Sequence, residues 1–246
     1  MKLPDGFQLV TLDTADSTNS EALRRAEGGA PDGTIVWALA QTVGRGRQGR
    51  AWQSLAGNLT VSFLLRPAIP PARLPELSLL AAVALAETVA SLVPADREVA
   101  LKWPNDVLLD GAKLAGILLE AAPGGGAVLG IGVNVARCPD SDSIAYPATR
   151  LADHAPEVTV AELLEAFAWS LFDWLLHWCV GGFAAVRAAW LERGPQDGDR
   201  VRIQAGTELL EGAYRGLSDE GGLLLDTGNG IRRILAGDVL PFNSAA

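Results

Sequence analysis

Residues 41 to 52 read QTVGRGRQGRAW and set Arg45, Arg47 and Arg50 on a backbone loosened by Gly44, Gly46 and Gly49. Arginine offers a planar fork of donors that matches carboxylate and phosphate, and glycine-rich backbone can fold its N–H groups around an anion. The stretch therefore suits phosphate, carboxylate or nucleic acid. Further on, KWPND (102 to 106) and KLAGI (113 to 117) supply Lys102 and Lys113, and the only other lysine is Lys2. In a chain that otherwise prefers arginine, two neighbouring lysines point to a place that wants a compact ammonium rather than a fork.

Other chemistry has little to work with. His154 and His177 are the only histidines; they read as a loop surface residue and a helix-packed residue, which leaves Ser-His-Asp catalysis and histidine metal sites without material. Cys138 and Cys179 form no CxxC, so neither a disulfide framework nor a cysteine zinc site is expected. No dense carboxylate cluster marks a metal, and no metal ligand is named. The chain carries 29 Asp+Glu against 20 Lys+Arg, a formal net charge of -9. That balance disfavours a general nucleic-acid surface, which needs basic stripes. A non-enzymatic phosphate- or RNA-binding module, with the arginine loop as an RGG-like segment, stays open as the alternative from a different class.

The elements that must hold these residues follow from periodicity and punctuation. FQLVTLD alternates like a strand, and Thr18 with Glu21 reads as a capping box opening a helix that stops at Gly28-Gly29. TIVWALAQ and NLTVSFLLR are strands on either side of the arginine loop. Residues 73 to 93 read as a long, mostly buried helix. EVALKWPND is a strand broken at Pro104, with Trp103 held extended. VLLDGAKLAGILLEA is a hairpin turning at Asp110-Gly111, and AVLGIGVNVA is a further strand. Residues 159 to 193 form two helices split at Gly181-Gly182. From Gly194-Pro195 onward short strands with Gly/Asp turns suggest a small β-barrel. The order implies an α+β fold with a mixed, mainly antiparallel sheet, divided into residues 1–194 and 195–246. The apolar run 77–93 contains Ser78, Glu87, Thr88 and Ser91 and reads as too polar for a membrane span. The N-terminus lacks a signal-peptide core, so a cytoplasmic protein with no membrane partner is expected.

DSTN (16 to 19), QTVGRGRQGRAW, GNLTVS (57 to 62), KWPNDV (102 to 107), KLAGILLE (113 to 120) and GIGVNV (130 to 135) together resemble the bacterial biotin protein ligases. The resemblance spans roughly the first 135 residues by motif. It implies a catalytic domain like that of class II aminoacyl-tRNA synthetases, followed by an SH3-like β-barrel. It also implies a two-step reaction: biotin and ATP give biotinoyl-5′-AMP and pyrophosphate, and a lysine of biotin carboxyl carrier protein then takes the biotinoyl group. Lys113, Arg47 and Asp106 would be catalytic, Asp106 orienting or deprotonating the incoming amine. Biotin would meet Ser17, Thr18, Asn19, Gln41, Gly44, Arg45, Gly46, Arg47 and Lys113. ATP would meet Arg47, Arg50, Trp52, Lys102, Asn105 and Asn134, with Gly130 and Gly132 letting ligand approach the strand, and Mg2+ is expected with the nucleotide. A lipoate or octanoate ligase or transferase of the same superfamily is the nearer alternative. Leu55 stands where the family usually has proline. The first catalytic strand begins near Phe7, which leaves no room for a DNA-binding domain and suggests the short form without a DNA partner; a homodimer is left open. Three unopposed arginines on glycine-rich backbone should make the loop mobile when no anion is bound.

Overall fold

The computed structural model describes residues 1–140 and 146–240. The first body is built on a seven-stranded sheet with spatial order β1-β2-β3-β7-β6-β5-β4. Its strands are β1 (Gln8–Ala15), β2 (Thr34–Gln41), β3 (Leu59–Leu65), β4 (Val99–Lys102), β5 (Asp106–Leu109), β6 (Ala112–Ala121) and β7 (Ala127–Val133). β1 pairs parallel with β2 and every other pair is antiparallel, the mixed sheet expected of an α+β fold. The β5–β6 hairpin turns at Asp110 and Gly111, both at positive φ (49° and 76°), as a tight two-residue hairpin turn requires.

Alternation sorts the two faces. On β7, Leu129, Ile131 and Val133 enter the main core with α2 (Glu76–Leu92), α3 (Val160–Gly181) and α4 (Phe183–Arg193). Val128 faces the other way and joins Ala22 and Ala26 of α1 (Thr18–Glu27) in a smaller cluster. α1 covers only part of that second face. Beyond its N-terminus the sheet is left uncovered, and there the glycines and polar residues of β6 and β7 are found.

Three local expectations differ. α1 has Ser17 at its N-cap with no side-chain cap bond; Glu21 instead pairs with Arg24 and Arg25, and Thr18 is taken by Gln41. The long helix begins at Glu76, because Pro70-Pro71 and Pro75 hold a separate short turn ahead of it. Extended back through that turn, Pro71–Leu92 is long and apolar enough by composition to cross a bilayer, where the run 77–93 alone read as too polar, but 67% of its 18-residue apolar window is buried within the protein. His177 is exposed rather than packed, edge-on to Trp174.

The chain after α4 forms a second, five-stranded antiparallel sheet in the order β11-β10-β9-β8-β12: β8 (Arg200–Ala205), β9 (Glu208–Leu217), β10 (Leu223–Asp226), β11 (Ile231–Ile234) and β12 (Asp238–Leu240). Residues 241–246, within the C-terminal unit expected from sequence, lie outside the described residues. Trp103, 2% exposed, joins the two bodies: its Nε1 donates to the Gly221 carbonyl at 3.1 Å.

Candidate active site

A cross-strand row makes the floor of the uncovered region. Asp106 on β5 stands opposite Gly116 on β6, Gly116 opposite Gly132 on β7, and Gly132 opposite Thr60 on β3. The two glycines leave a shallow trough, and the Trp52 indole lies in it. A Cβ at Gly132 would come within 2.4 Å of Trp52 Cε2, and one at Gly116 within 3.2 Å of Trp52 Cζ3. Gly130 likewise makes room for the Asn19 side chain, whose Oδ1 would be 2.0 Å from an added Cβ. The approach these glycines permit is thus by the protein's own Trp52 and Asn19, where a ligand was expected.

Lys113 reaches the same floor through an irregularity. Val107 opposes Ala115 and Leu108 opposes Lys113, so one extra residue of β6 sits between the pairs. Such a bulge reverses the alternation of the strand that carries it. Lys113 therefore joins Gly116 and Asp106 on the open face, and its Nζ lies 2.7 Å from Asp106 Oδ1 and 5.7 Å from the centre of the Trp52 ring. Lys102 Nζ approaches Asp106 Oδ2 at 2.8 Å and sits over the Tyr146 ring at 4.5 Å. Burial of Asp106 pushes its pKa up, but the charges of Lys113 and Lys102 outweigh burial and leave it below the usual carboxylate range. It is a fixed anion between two ammoniums.

At the α1 end, Gln41 Oε1 accepts from the Thr18 backbone N–H (2.7 Å) and hydroxyl (3.1 Å), while its Nε2 donates to Ser54 Oγ (2.7 Å). This neighbouring-strand amide does for the helix start what a cap residue would do. Ser62 Oγ lies 2.8 Å from Thr18 Oγ1 and 2.6 Å from Asn19 Oδ1, and Asn19 Nδ2 donates to Glu120 Oε2 at 2.8 Å. Ser17, Thr18 and Asn19 are all buried.

The arginine loop folds over this floor. Arg45 and Ala51 form an isolated β-bridge, and Gly44, behind the loop, accepts from the Trp52 N–H at 3.0 Å. Each arginine has a carboxylate: Arg45 pairs with Glu120, and Arg47 and Arg50 both reach Asp238 Oδ1, at 3.4 and 2.8 Å. Arg47 also donates to Asn105 Oδ1 (3.1 Å) and the Gly237 carbonyl (3.0 Å). Burial, its largest influence, lowers the Arg47 pKa, though a guanidinium stays charged. The premise that the arginines lack anions in the empty protein does not hold, because the protein supplies its own.

The result is a cleft of about 430 Å3. Its lining contains Ser17, Thr18, Asn19, Gln41, Arg45, Gly46, Arg47, Arg50, Trp52, Lys102, Asn105, Asp106, Lys113 and Asn134. Gly44 alone of the expected site residues is not on the wall; a Cβ there would meet the Trp52 carbonyl at 2.3 Å, so it supports the loop from behind. Sequence reasoning missed Tyr146, Glu120 and Asp238. Tyr146 and Asp238 line the cleft; Asp238 comes from a distant strand and no local motif could announce it, whereas Glu120 closes the quoted KLAGILLE run. Trp52 Nε1 and Asn134 Oδ1, both on the lining, are buried without a hydrogen-bond partner, and such orphans are rare unless a bound group completes them. Among the described residues no group of three or more His, Cys, Asp or Glu could hold a metal, and the two cleft carboxylates are already engaged by lysine or arginine. The residues do not form a metal cage.

An open-faced mixed sheet with convergent cations, followed by a small antiparallel sheet, defines an anion-binding α+β domain with an appended β module. The sequence pattern of the biotin/lipoate A/B protein ligase family matches residues 12–135, and that of the biotin protein ligase C-terminal domain matches residues 198–240. The chain is 37% identical to the biotin–[acetyl-CoA-carboxylase] ligase of Paracoccus denitrificans over 93% of this chain and 98% of that one. It is 35% identical to the bifunctional ligase/repressor of Bacillus subtilis, over 95% of this chain and 74% of that one. Among solved structures it is similar to the biotin protein ligase from Aquifex aeolicus in complex with biotin and ATP, with TM-score 0.81, 30% identity, and coverage of 94% and 97% of the two chains. The chain belongs to the biotin protein ligase family, and its catalytic body has the class II aminoacyl-tRNA synthetase-like fold expected.

Proposed function

We propose that the cleft joins biotin to AMP and passes the biotinoyl group to a lysine of biotin carboxyl carrier protein. A biotin carboxylate oxygen attacks the α-phosphorus of ATP and pyrophosphate leaves. The carrier amine then attacks the acyl carbon, AMP departs with the bonding electrons, and the amine loses a proton. The observation that carries this reading is Lys113, turned by the β6 bulge onto a floor beside Lys102 and the Arg47–Arg50 pair. Fixed cations in a partly enclosed site stabilise the charge that develops when two anions are joined.

The residue roles belong to the same proposal. Ser17, Thr18, Asn19 and Gln41 offer the hydroxyls and amides that a ureido ring needs, with Gly44, Arg45 and Gly46 of the loop and Lys113 completing the biotin side. Arg47, Arg50, Lys102, Asn105 and Asn134 face the nucleotide, and Trp52 and Tyr146 supply flat apolar surface for adenine. Asp106 holds Lys102 and Lys113 in place; a carboxylate kept charged by two ammoniums suits orienting an amine better than deprotonating it. Mg2+ enters as the companion of the ATP phosphates, a usual mode for this cation. Residues 1–194 act as the catalytic unit and 195–246 as the small β unit. The carrier is the proposed protein partner. DNA is not, given the net charge of -9, and a cytoplasmic setting, where ATP is supplied, is part of the same proposal.

The test is direct. With Mg-ATP and biotin the pure protein should catalyse biotin-dependent ATP–pyrophosphate exchange and label one lysine of a carrier domain. Exchange with lipoate or octanoate in place of biotin would favour the neighbouring ligases of the superfamily; no labelling by folded protein would sink the reading. Gly132→Ala provides a second check. The added methyl must push Trp52 off the floor, because the indole ends a loop and gives way before the sheet does. Stability should change by less than about 1 kcal/mol, while adenylation should fall about tenfold or more, since small misplacements of a site cost heavily. Normal exchange in this variant would remove Trp52 from the site.

A further inference from the structure

We propose that Asp238 of the C-terminal sheet is a positioning residue for the nucleotide, its carboxylate standing in for a phosphate between Arg47 and Arg50 until ATP displaces it. The inference rests on the ATP reading above and goes beyond it by giving the second body a part in nucleotide binding.

Asp238 opens β12, which is held in register by β8, with Asp238 opposite Gln204. Its side chain is 18% exposed, and one oxygen, Oδ1, takes both arginines, Arg50 at 2.8 Å and Arg47 at 3.4 Å. The preceding Gly237 carbonyl takes a further Arg47 N–H at 3.0 Å. A single carboxylate oxygen between two guanidiniums is the arrangement a phosphate oxygen would make.

The three carboxylates beside the cleft cations differ in how far they can yield. Asp106 is buried on a two-residue hairpin and bonded to both lysines. Glu120 is tied to Arg45 and also to Asn19 within the same sheet. Asp238 alone belongs to the other body, and Arg50, one of its partners, is 59% exposed on its loop. A triphosphate offers several charged oxygens where Asp238 offers one, so the arginines exchange partners on its arrival. Asp238 is then a like charge beside the polyphosphate. Its carboxylate therefore does two opposed things: it keeps the loop ordered and the arginines aimed in the empty protein, and it weakens ATP binding by competing for them.

Those effects separate in Asp238→Asn, which keeps shape and one acceptor but removes the charge. Calorimetry with Mg-ATP alone should give a Kd about twofold to fivefold lower than wild type, the scale of a partly exposed ion pair. Trypsin should cut after Arg47 or Arg50 several times faster in the ligand-free variant, with ATP and biotin restoring protection. Asp238→Glu should return both readings toward wild type. In a double-mutant cycle, Arg50→Ala should cost more ATP affinity in the Asn background, where that arginine is free to bind phosphate. Unchanged or weaker ATP binding in Asp238→Asn, or additive effects of the two substitutions, would overturn the proposal while leaving the ATP reading intact. Failure of wild-type protein to bind ATP at all would remove both.

Discussion

Lys113→Ala should fold normally and lose adenylate formation about 100-fold or more, as expected when a preorganised charge is taken from a developing anion; that is about 2.7 kcal/mol of transition-state stabilisation. The fold survives because Asp106, the buried partner left behind, still has Lys102 at 2.8 Å. Lys113→Arg should also be poor. The ammonium sits 2.7 Å from Asp106 and 5.7 Å from the Trp52 ring centre, a gap that suits a compact group, and a longer planar fork in it must displace one of them. Biotin-dependent pyrophosphate exchange measures the effect, alongside a thermal melt to verify folding. Near-normal exchange in both variants would make the lysine a structural partner of Asp106 and nothing more.

Trp103→Ala should be the most destabilising single change in the site region, by about 3–5 kcal/mol. The side chain is 2% exposed within the main core, and its Nε1 bonds to Gly221 of the second body at 3.1 Å. Truncation opens a cavity under the turn that carries Asn105 and Asp106 and strands the Gly221 carbonyl. Trp103→Phe keeps much of the packing and loses chiefly the hydrogen bond, so about 1 kcal/mol is expected from that loss alone. Urea unfolding monitored by far-UV circular dichroism gives both numbers. An Ala variant within about 1 kcal/mol of wild type would mean that the indole is not holding the two bodies together.

The contrast between what could and could not be read in the sequence is a contrast between local and non-local causes. Strand periodicity, Asp110-Gly111 and Gly181-Gly182 set the hairpin and the split between α3 and α4, because turn chemistry acts over a few residues. Dense motifs held most of the residues on the cleft wall. The errors arose where one segment meets another. Thr18 looked like half of a capping box until Gln41, from a neighbouring strand, took its N–H and hydroxyl. Gly130 and Gly132 looked like space for ligand until Asn19 and Trp52 filled it. The arginine loop looked unopposed because Asp238 lies far along the chain and carries no motif of its own.

The extra residue in β6 gives the active lysine an address counted in residues. Because Leu108 faces Lys113 while Val107 faces Ala115, Leu114 is the unpaired residue; with the same letters in unbroken register Leu114 would face Leu108 and the ammonium would turn toward the apolar side of the sheet. Every lettered motif would still be present. A homologue that keeps KWPND and the two-residue spacing between lysine and glycine, but pairs the two strands without the bulge, should therefore be read as a fold without this lysine in its cleft. The register of the hairpin, and not the letters alone, is the feature to check when the chemistry of a relative is inferred.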